Sequence, residues 1–270
     1  MTEAPLFELA WRGGASEHRL HRRRPGGEEM PWGSVDLAGW SPEVVAEARR
    51  VWTNGVFTEY ASASAVSALA SALLECGAPV DLTAAAADIV VDELFHVELS
   101  ARLTTELGGA TPLRFDLEKI APATTPGARA LMRAAELAVA TSCVSEALSV
   151  PAMARSRAMA TVPLVRAVLD RLVADEGPHA RLGFWFLDWA ADRLTDGERA
   201  RLADLALGTL EVYAPLWREP DCDACPTPVG LAGHDDRGRE ALRRAVTSSI
   251  ARPLADHGIA LDPGRLAALV

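Results

Sequence analysis

The chain has 270 residues, with 37 acidic against 27 basic side chains and a formal net charge of −10. That length allows one large domain or two small ones, and 49% hydrophobic with 24% charged residues excludes wholesale disorder. Fifty alanines stand beside only two tyrosines and six phenylalanines, which excludes a β-sandwich and favours helix. The acidic balance argues against nucleic acid as a partner.

Residues 1–40 hold two Gly-Gly pairs, Pro25, Pro31 and the basic run His18-Arg-Leu-His-Arg-Arg-Arg24. No helical or strand period lasts there, so an irregular surface arm is expected, its basic run solvated and balanced by Glu28 and Glu29. No basic region followed by an apolar run opens the chain, and no uninterrupted stretch approaches the ~20 apolar residues of a membrane span. A cytoplasmic protein with no membrane partner is therefore expected. Cys76, Cys143, Cys222 and Cys225 are too few for a disulfide scaffold.

Helix signals begin at Ser41-Pro42-Glu43, an N-cap, a first-turn proline and an acid at the positive end of the dipole. The first predicted helix runs to about Cys76 and stops at Gly77-Ala-Pro79. Asp81 is expected to cap a second, ending near Gly108-Gly109. A third covers roughly 127–158, and a fourth starts after Pro163 and reaches about Leu194. Thr195-Asp-Gly-Glu198 is a capping box for a fifth, to about Trp217. A shorter helix near 237–251 precedes a tail left unassigned. The prediction is all-α: an antiparallel four-helix bundle over 41–194, with a helical extension over 195–270 packed on it.

What interrupts each buried seam carries the chemistry. Stepping by three and four along the first helix gives Val45, Ala48, Trp52, Gly55, Glu59, Ser62, Val66, Leu69 and Leu73, a core stripe with one carboxylate in it. The second gives Leu82, Ala86, Ile89, Glu93, His96, Ser100, Leu103 and Leu107. The third gives Met132, Ala135, Val139, Ser142, Glu146 and Met153, and the fourth Val165, Leu169, Leu172, Glu176, His179, Gly183, Phe186 and Ala190. Residue 76, midway between Glu59 and Glu93, is a predicted turn; so is residue 161, midway between Glu146 and Glu176. Hairpins folded there set each pair at one height, roughly 25 Å from the bend at ~1.5 Å per residue. Buried carboxylates need cations, and two divalent metals match four Glu. A dinuclear carboxylate site is the reading.

The pattern Glu59, then Asp92-Glu93-x-x-His96, then Glu146, then Asp175-Glu176-x-x-His179 resembles the ferritin-like di-iron carboxylate superfamily. In that family a Glu from each of two helices and a Glu-x-x-His from each of the others bind the metals. The resemblance covers about residues 41–193. It implies Glu59, Glu93, His96, Glu146, Glu176 and His179 as ligands, and Asp92 and Asp175 as hydrogen-bond partners of liganding His on other helices. Gly177 and Pro178 depart from it, and a break or bulge within 173–179 is expected.

The expected cofactor is two iron ions, with Mn/Fe or Mn/Mn as alternatives and O2 as co-substrate. Small or polar seam residues Gly55, Ser62, Ser142, Cys143 and Gly183 predict a cavity beside the metals, walled by Trp52, Val56, Phe95 and Phe186. Lack of a four-Cys module disfavours a rubrerythrin, and Leu172 stands where the arylamine N-oxygenases have a further His. Tyr60 lies one residue off the seam and is read as a packing residue. An oxidase or oxygenase acting on a small organic molecule is expected, its electrons drawn from an external reductase or ferredoxin, and a homodimer is one possible assembly. The alternatives are a ferroxidase or iron-binding protein, and a structural di-metal bundle. Cys222-Asp-Ala-Cys225 is read as plain loop thiols, with His234 nearby as a third candidate ligand for a weak zinc signal.

Overall fold

The computed structural model describes residues 4–218, 228–233 and 235–270. Among these there is no strand beyond one isolated antiparallel bridge, Leu6 with Arg114, and the all-α class holds. Ser41 accepts a bond from the Val44 N–H and Pro42 takes the first turn, which starts α2 (Pro42–Glu75), about 50 Å long. Its end is a Schellman motif. Gly77 sits at φ 67°, which lets its N–H reach Leu74 C=O and the Ala78 N–H reach Leu73 C=O. Helix α3 (Val80–Glu106) follows at once, with Pro79 at its flanking position, so Asp81 lies inside the first turn instead of capping it.

The predicted third helix is a rod in three parts. Helix α4 (Ala130–Leu137) runs into a π-helical segment (Ala138–Glu146) and then into α5 (Ala147–Met159). Helix α6 (Pro163–Ala190) is continuous. That corrects the break expected within 173–179. Pro178 lacks an N–H for the Ala174 carbonyl, but both residues are exposed, so solvent can serve that carbonyl. The capping box at Thr195 and Glu198 opens α7 (Asp196–Tyr213) as predicted. Then come α8 (Asp236–Ala245), a second π segment (Val246–Ala251), α9 (Arg252–Asp256) and α10 (Pro263–Leu269), which fills the unassigned tail.

Helix α2 packs along α3, and α6 along the α4–π–α5 rod, while α2–α4 and α3–α6 contacts close the ring. Two apolar cores result. One, built on Leu69, Leu73, Met132 and Phe186, continues without a gap into Leu207, Leu210 and Ile250 of the C-terminal helices. The other holds Trp52, Phe95, Leu103, Leu169 and Leu172. The four seam carboxylates and two imidazoles lie between them along every helix of the ring. Trp52 Nε1 donates to Leu231 C=O at 2.8 Å and Trp217 Nε1 to Leu269 C=O at 2.7 Å, so the segment after 195 is tied into both cores. Ala130–Met159 is long and apolar enough by composition to cross a membrane, yet 56% of its most apolar window is buried inside the protein.

The arm is not irregular throughout. Residues Ala15–Arg23 form α1, and His21 and Arg24 of the basic run dock on α3, while His18, Arg19, Arg22 and Arg23 stay exposed as expected. The cause is charge: α3 presents Asp88, Asp92 and Glu98 along one side. Ahead of α1, the Phe7 N–H bonds Leu113 C=O, and the Phe7 ring meets Phe57 and Tyr60 edge-on, which gives Tyr60 a packing role.

Candidate metal centre

Glu59, Glu93, His96, Glu146, Glu176 and His179 all lie in one buried layer. Glu59 and Glu146 come from α2 and the last π residue; Glu93 with His96 from α3, and Glu176 with His179 from α6, each sit one turn apart on one face. Ligand-capable atoms form two groups, each within 4.8 Å. Glu59, Glu93, His96 and Glu176 make one, and Glu93, Glu146, Glu176 and His179 the other. Glu93 and Glu176 belong to both, so the geometry describes two adjacent cation positions joined by two carboxylates.

The inward atoms are unpartnered. Both oxygens of Glu93, Oε1 of Glu176 and Nδ1 of each His are buried with no hydrogen bond, and so is Ser100 Oγ, one turn after His96. Yet His179 Nδ1 lies 3.0 Å from Glu93 Oε1, and His96 Nδ1 lies 3.5 Å from Glu59 Oε2 and 3.6 Å from Glu176 Oε1. Buried polar atoms are seldom left unsatisfied. A cluster of lone pairs converging from four helices fits a cation-binding site, and the donor set of carboxylate plus imidazole fits divalent iron or manganese.

Outside the cluster the contacts are complete. His96 Nε2 lies 3.1 Å from Asp175 Oδ2, and Arg171 Nε donates to that same oxygen at 2.6 Å. By pseudo-symmetry His179 Nε2 lies 3.4 Å from Asp92 Oδ2, and Arg24 of the arm pairs with Asp92. Each Asp therefore reaches the His of the opposite helix, as the resemblance implies, and holds the proton on Nε2 so that Nδ1 faces inward. Ser62 Oγ donates to Glu146 Oε1 at 3.0 Å and Ser149 Oγ to Glu176 Oε2 at 2.8 Å.

The electrostatics are those of an anionic cavity. Burial first, then the charges of Glu146 and Glu59, push Glu93 and Glu176 well above the usual carboxylate range. Burial pulls His96 down, but its bond to Asp175 and the nearby carboxylate of Glu59 outweigh it and carry it to about 10; His179 is raised too, chiefly by Asp92 against the same burial. Burial pushes Glu59 up, but the imidazole of His96 beside it prevails and lowers it, and Asp92 and Asp175 are lowered by their His and Arg partners.

The residues predicted to line a cavity divide. Gly183 does not open space: a Cβ there would lie 2.5 Å from Cys143 Sγ and 2.8 Å from Ala138 C=O, so these small residues serve close helix packing. Ser142 is fully used. Its hydroxyl donates to His179 C=O and accepts from the Gly183 N–H, bridging the two groups that one helical turn of α6 would join directly. Phe186 is buried in one apolar core, and Trp52 and Phe95 in the other, with Phe95 packed under Gly27 of the arm. Val56 is buried, Gly55 is half-buried, and Ser62 is the partner of Glu146.

Sequence reasoning missed Arg24, Arg171, Ser149 and the π segment. Arg171 stands four residues before Asp175, a legible helix pair; Arg24 is far off in sequence and left no signal. Cys222, Cys225 and His234 lie outside the described residues. Neither a protein-family model nor a curated protein sequence matches this chain. The buried acidic and imidazole clusters are compatible with a di-iron site on an all-helical fold.

Proposed function

We propose that this chain is a dinuclear iron oxidase or oxygenase of the ferritin-like di-iron carboxylate kind, using O2 to oxidise a small organic molecule. One observation carries the reading: two four-residue ligand groups share Glu93 and Glu176, and both oxygens of Glu93, Oε1 of Glu176 and Nδ1 of His96 and His179 have no hydrogen-bond partner. Glu59 and His96 would hold one ion, Glu146 and His179 the other, with the shared carboxylates between them. Two ferrous ions so held would supply electrons to O2 in pairs. The protein's own part is positional. Asp175 and Asp92 keep the protons on the outer imidazole nitrogens, and Ser62 and Ser149 fix the outer lone pairs of Glu146 and Glu176. Apolar cores on both sides exclude bulk water. Return of the electrons calls for an external reductase or ferredoxin.

A ferroxidase without organic substrate is the second reading, and the filled space between Gly183 and Cys143 favours it. Anaerobic titration with Fe(II) tests both: about two irons per chain are expected, and fewer than one overturns the dinuclear reading. O2 uptake by the loaded protein then separates them. An oxygenase consumes O2 repeatedly with reductant and an organic substrate, whereas a ferroxidase consumes it only in proportion to added iron.

A further inference from the structure

The repeat that carries the ligands reverses its flanking charges. Asp88 and Glu98 stand around Asp92-Glu93-x-x-His96 where Arg171 and Arg181 stand around Asp175-Glu176-x-x-His179. In the first copy the arm covers both acids: Arg24 reaches Asp88 at 2.9 Å and His21 reaches Glu98 at 2.9 Å. In the second copy Arg171 turns onto Asp175. Arg181 is exposed, with no hydrogen-bond or ion-pair partner among the described residues.

Arg181 borders a cleft of about 500 Å³ between α5, α6, α8 and the π segment Val246–Ala251. Its lining is mostly apolar, from Val150, Pro151, Ala180 and Phe184, with Arg244 and Ser248 contributed by α8 and the π segment. Arg244 leans on Glu240 of its own helix at 3.2 Å, so Arg181 is the uncommitted cation. The volume falls in the range of small-molecule sites. An apolar lining with guanidinium groups at its edge suits one carboxylate on an apolar body, because a guanidinium can hold a carboxylate by two parallel hydrogen bonds. The cleft lies on the outer side of two helices of the centre: Ala147, Gly177 and Ala180 in its lining follow Glu146, Glu176 and His179 in the chain and so point about 100° away from them around the helix.

We propose that this cleft binds a small organic carboxylate with an apolar body, held by Arg181 with Arg244 beside it, on the outer side of the helices that carry the centre. Calorimetric titration of the full chain with hexanoate and phenylacetate tests it, once metal-free and once loaded anaerobically with Fe(II), with hexanamide and phenylacetamide as neutral controls. Saturable binding of one carboxylate per chain is expected, at least about tenfold tighter than the matching amide and at least about tenfold weaker in Arg181→Ala. Arg181→Lys should recover part of the loss, and Arg244→Ala should weaken binding less. Both arginines are exposed, and iron content and circular dichroism should be unchanged in either variant. Absence of saturable binding, equal binding of the amides, or full binding by Arg181→Ala overturns the site. Carboxylate binding by a chain that takes up no iron leaves the site standing and removes the oxidase reading.

Discussion

Each imidazole of the centre is held on its outer nitrogen by an aspartate from the facing helix, and each aspartate is held in turn by an arginine. Removing such a partner frees the ring to rotate and lets its proton move to the nitrogen that should face the metal. Asp175→Ala is expected to weaken Fe(II) binding by about 10- to 100-fold, measured by anaerobic competition with a chromophoric chelator; unchanged affinity would leave Asp175 a plain surface acid. The same layer dictates a pH response. Glu93, Glu176, His96 and His179 all have raised values, so in the metal-free fold they bind protons more tightly than in the unfolded chain. For the histidines that stabilisation is fully present below the ordinary 6.5 and, for His96, is lost as pH rises through about 10. The lowered groups, Glu59, Asp92 and Asp175, act oppositely, but their contribution is lost only as pH falls into the acid range. Between pH 6.5 and 9 the metal-free protein should therefore lose stability, while metal replaces those protons and protects the loaded form. Thermal melts of both forms should show a Tm difference that widens over that window; a constant or narrowing gap counts against protonation of the cluster.

At the scale of elements, the phase of the ligands was legible and the local irregularity was not. Caps, turn glycines and three-four periodicity located the bundle helices to within a few residues at most ends, because each reflects a backbone requirement satisfied locally. The same periodicity put Glu59, Glu93, Glu146 and Glu176 on the buried faces. The π segment escaped it, since a widened turn depends on what packs opposite: here Gly183, against Cys143 and the Ala138 carbonyl. The break expected at Gly177-Pro178 was a local rule overridden, because α6 is gripped on one side by α3 and on the other by the rod. Two substitutions separate these positions. Gly183→Ala forces a methyl into a contact that backbone atoms bound, and is expected to cost about 1–3 kcal/mol in chemical denaturation. Pro178→Ala restores a missing helix bond at an exposed site and should raise stability by up to about 3 kcal/mol. A stabilised Gly183→Ala would contradict the close packing, and a destabilised Pro178→Ala would show that the proline is required.

In the whole molecule, two apolar cores are separated by an ionisable layer that one end of the chain helps to close. Arg24 lies on α3 beside Asp92 and Asp88, the next carbonyl, Pro25 C=O, receives Arg171 of α6 at 3.0 Å, and Gly27 packs on Phe95. None of this could be read from the basic run alone, because its acidic partners lie about seventy residues on and only the folded α3 gathers them on one side. Arg24→Ala should release the arm, seen as faster tryptic cleavage within residues 19–24, and should weaken metal binding at the His179 position through Asp92. Arg24→Lys should recover part of both, keeping the charge but not the fork that spans two carboxylates. An arm that stays protected in Arg24→Ala would place its hold elsewhere.

The clasp also bears on the order of events during synthesis. Pro25 is made before α6, and its carbonyl waits for Arg171, nearly 150 residues later in the chain. That half of the clasp can close only once α6 has folded against α3, whereas the contacts of Arg24 with Asp88 and Asp92 need α3 alone. The Asp92 side of the layer should therefore be covered before the Asp175 side, so that the two halves of the centre are sealed in chain order.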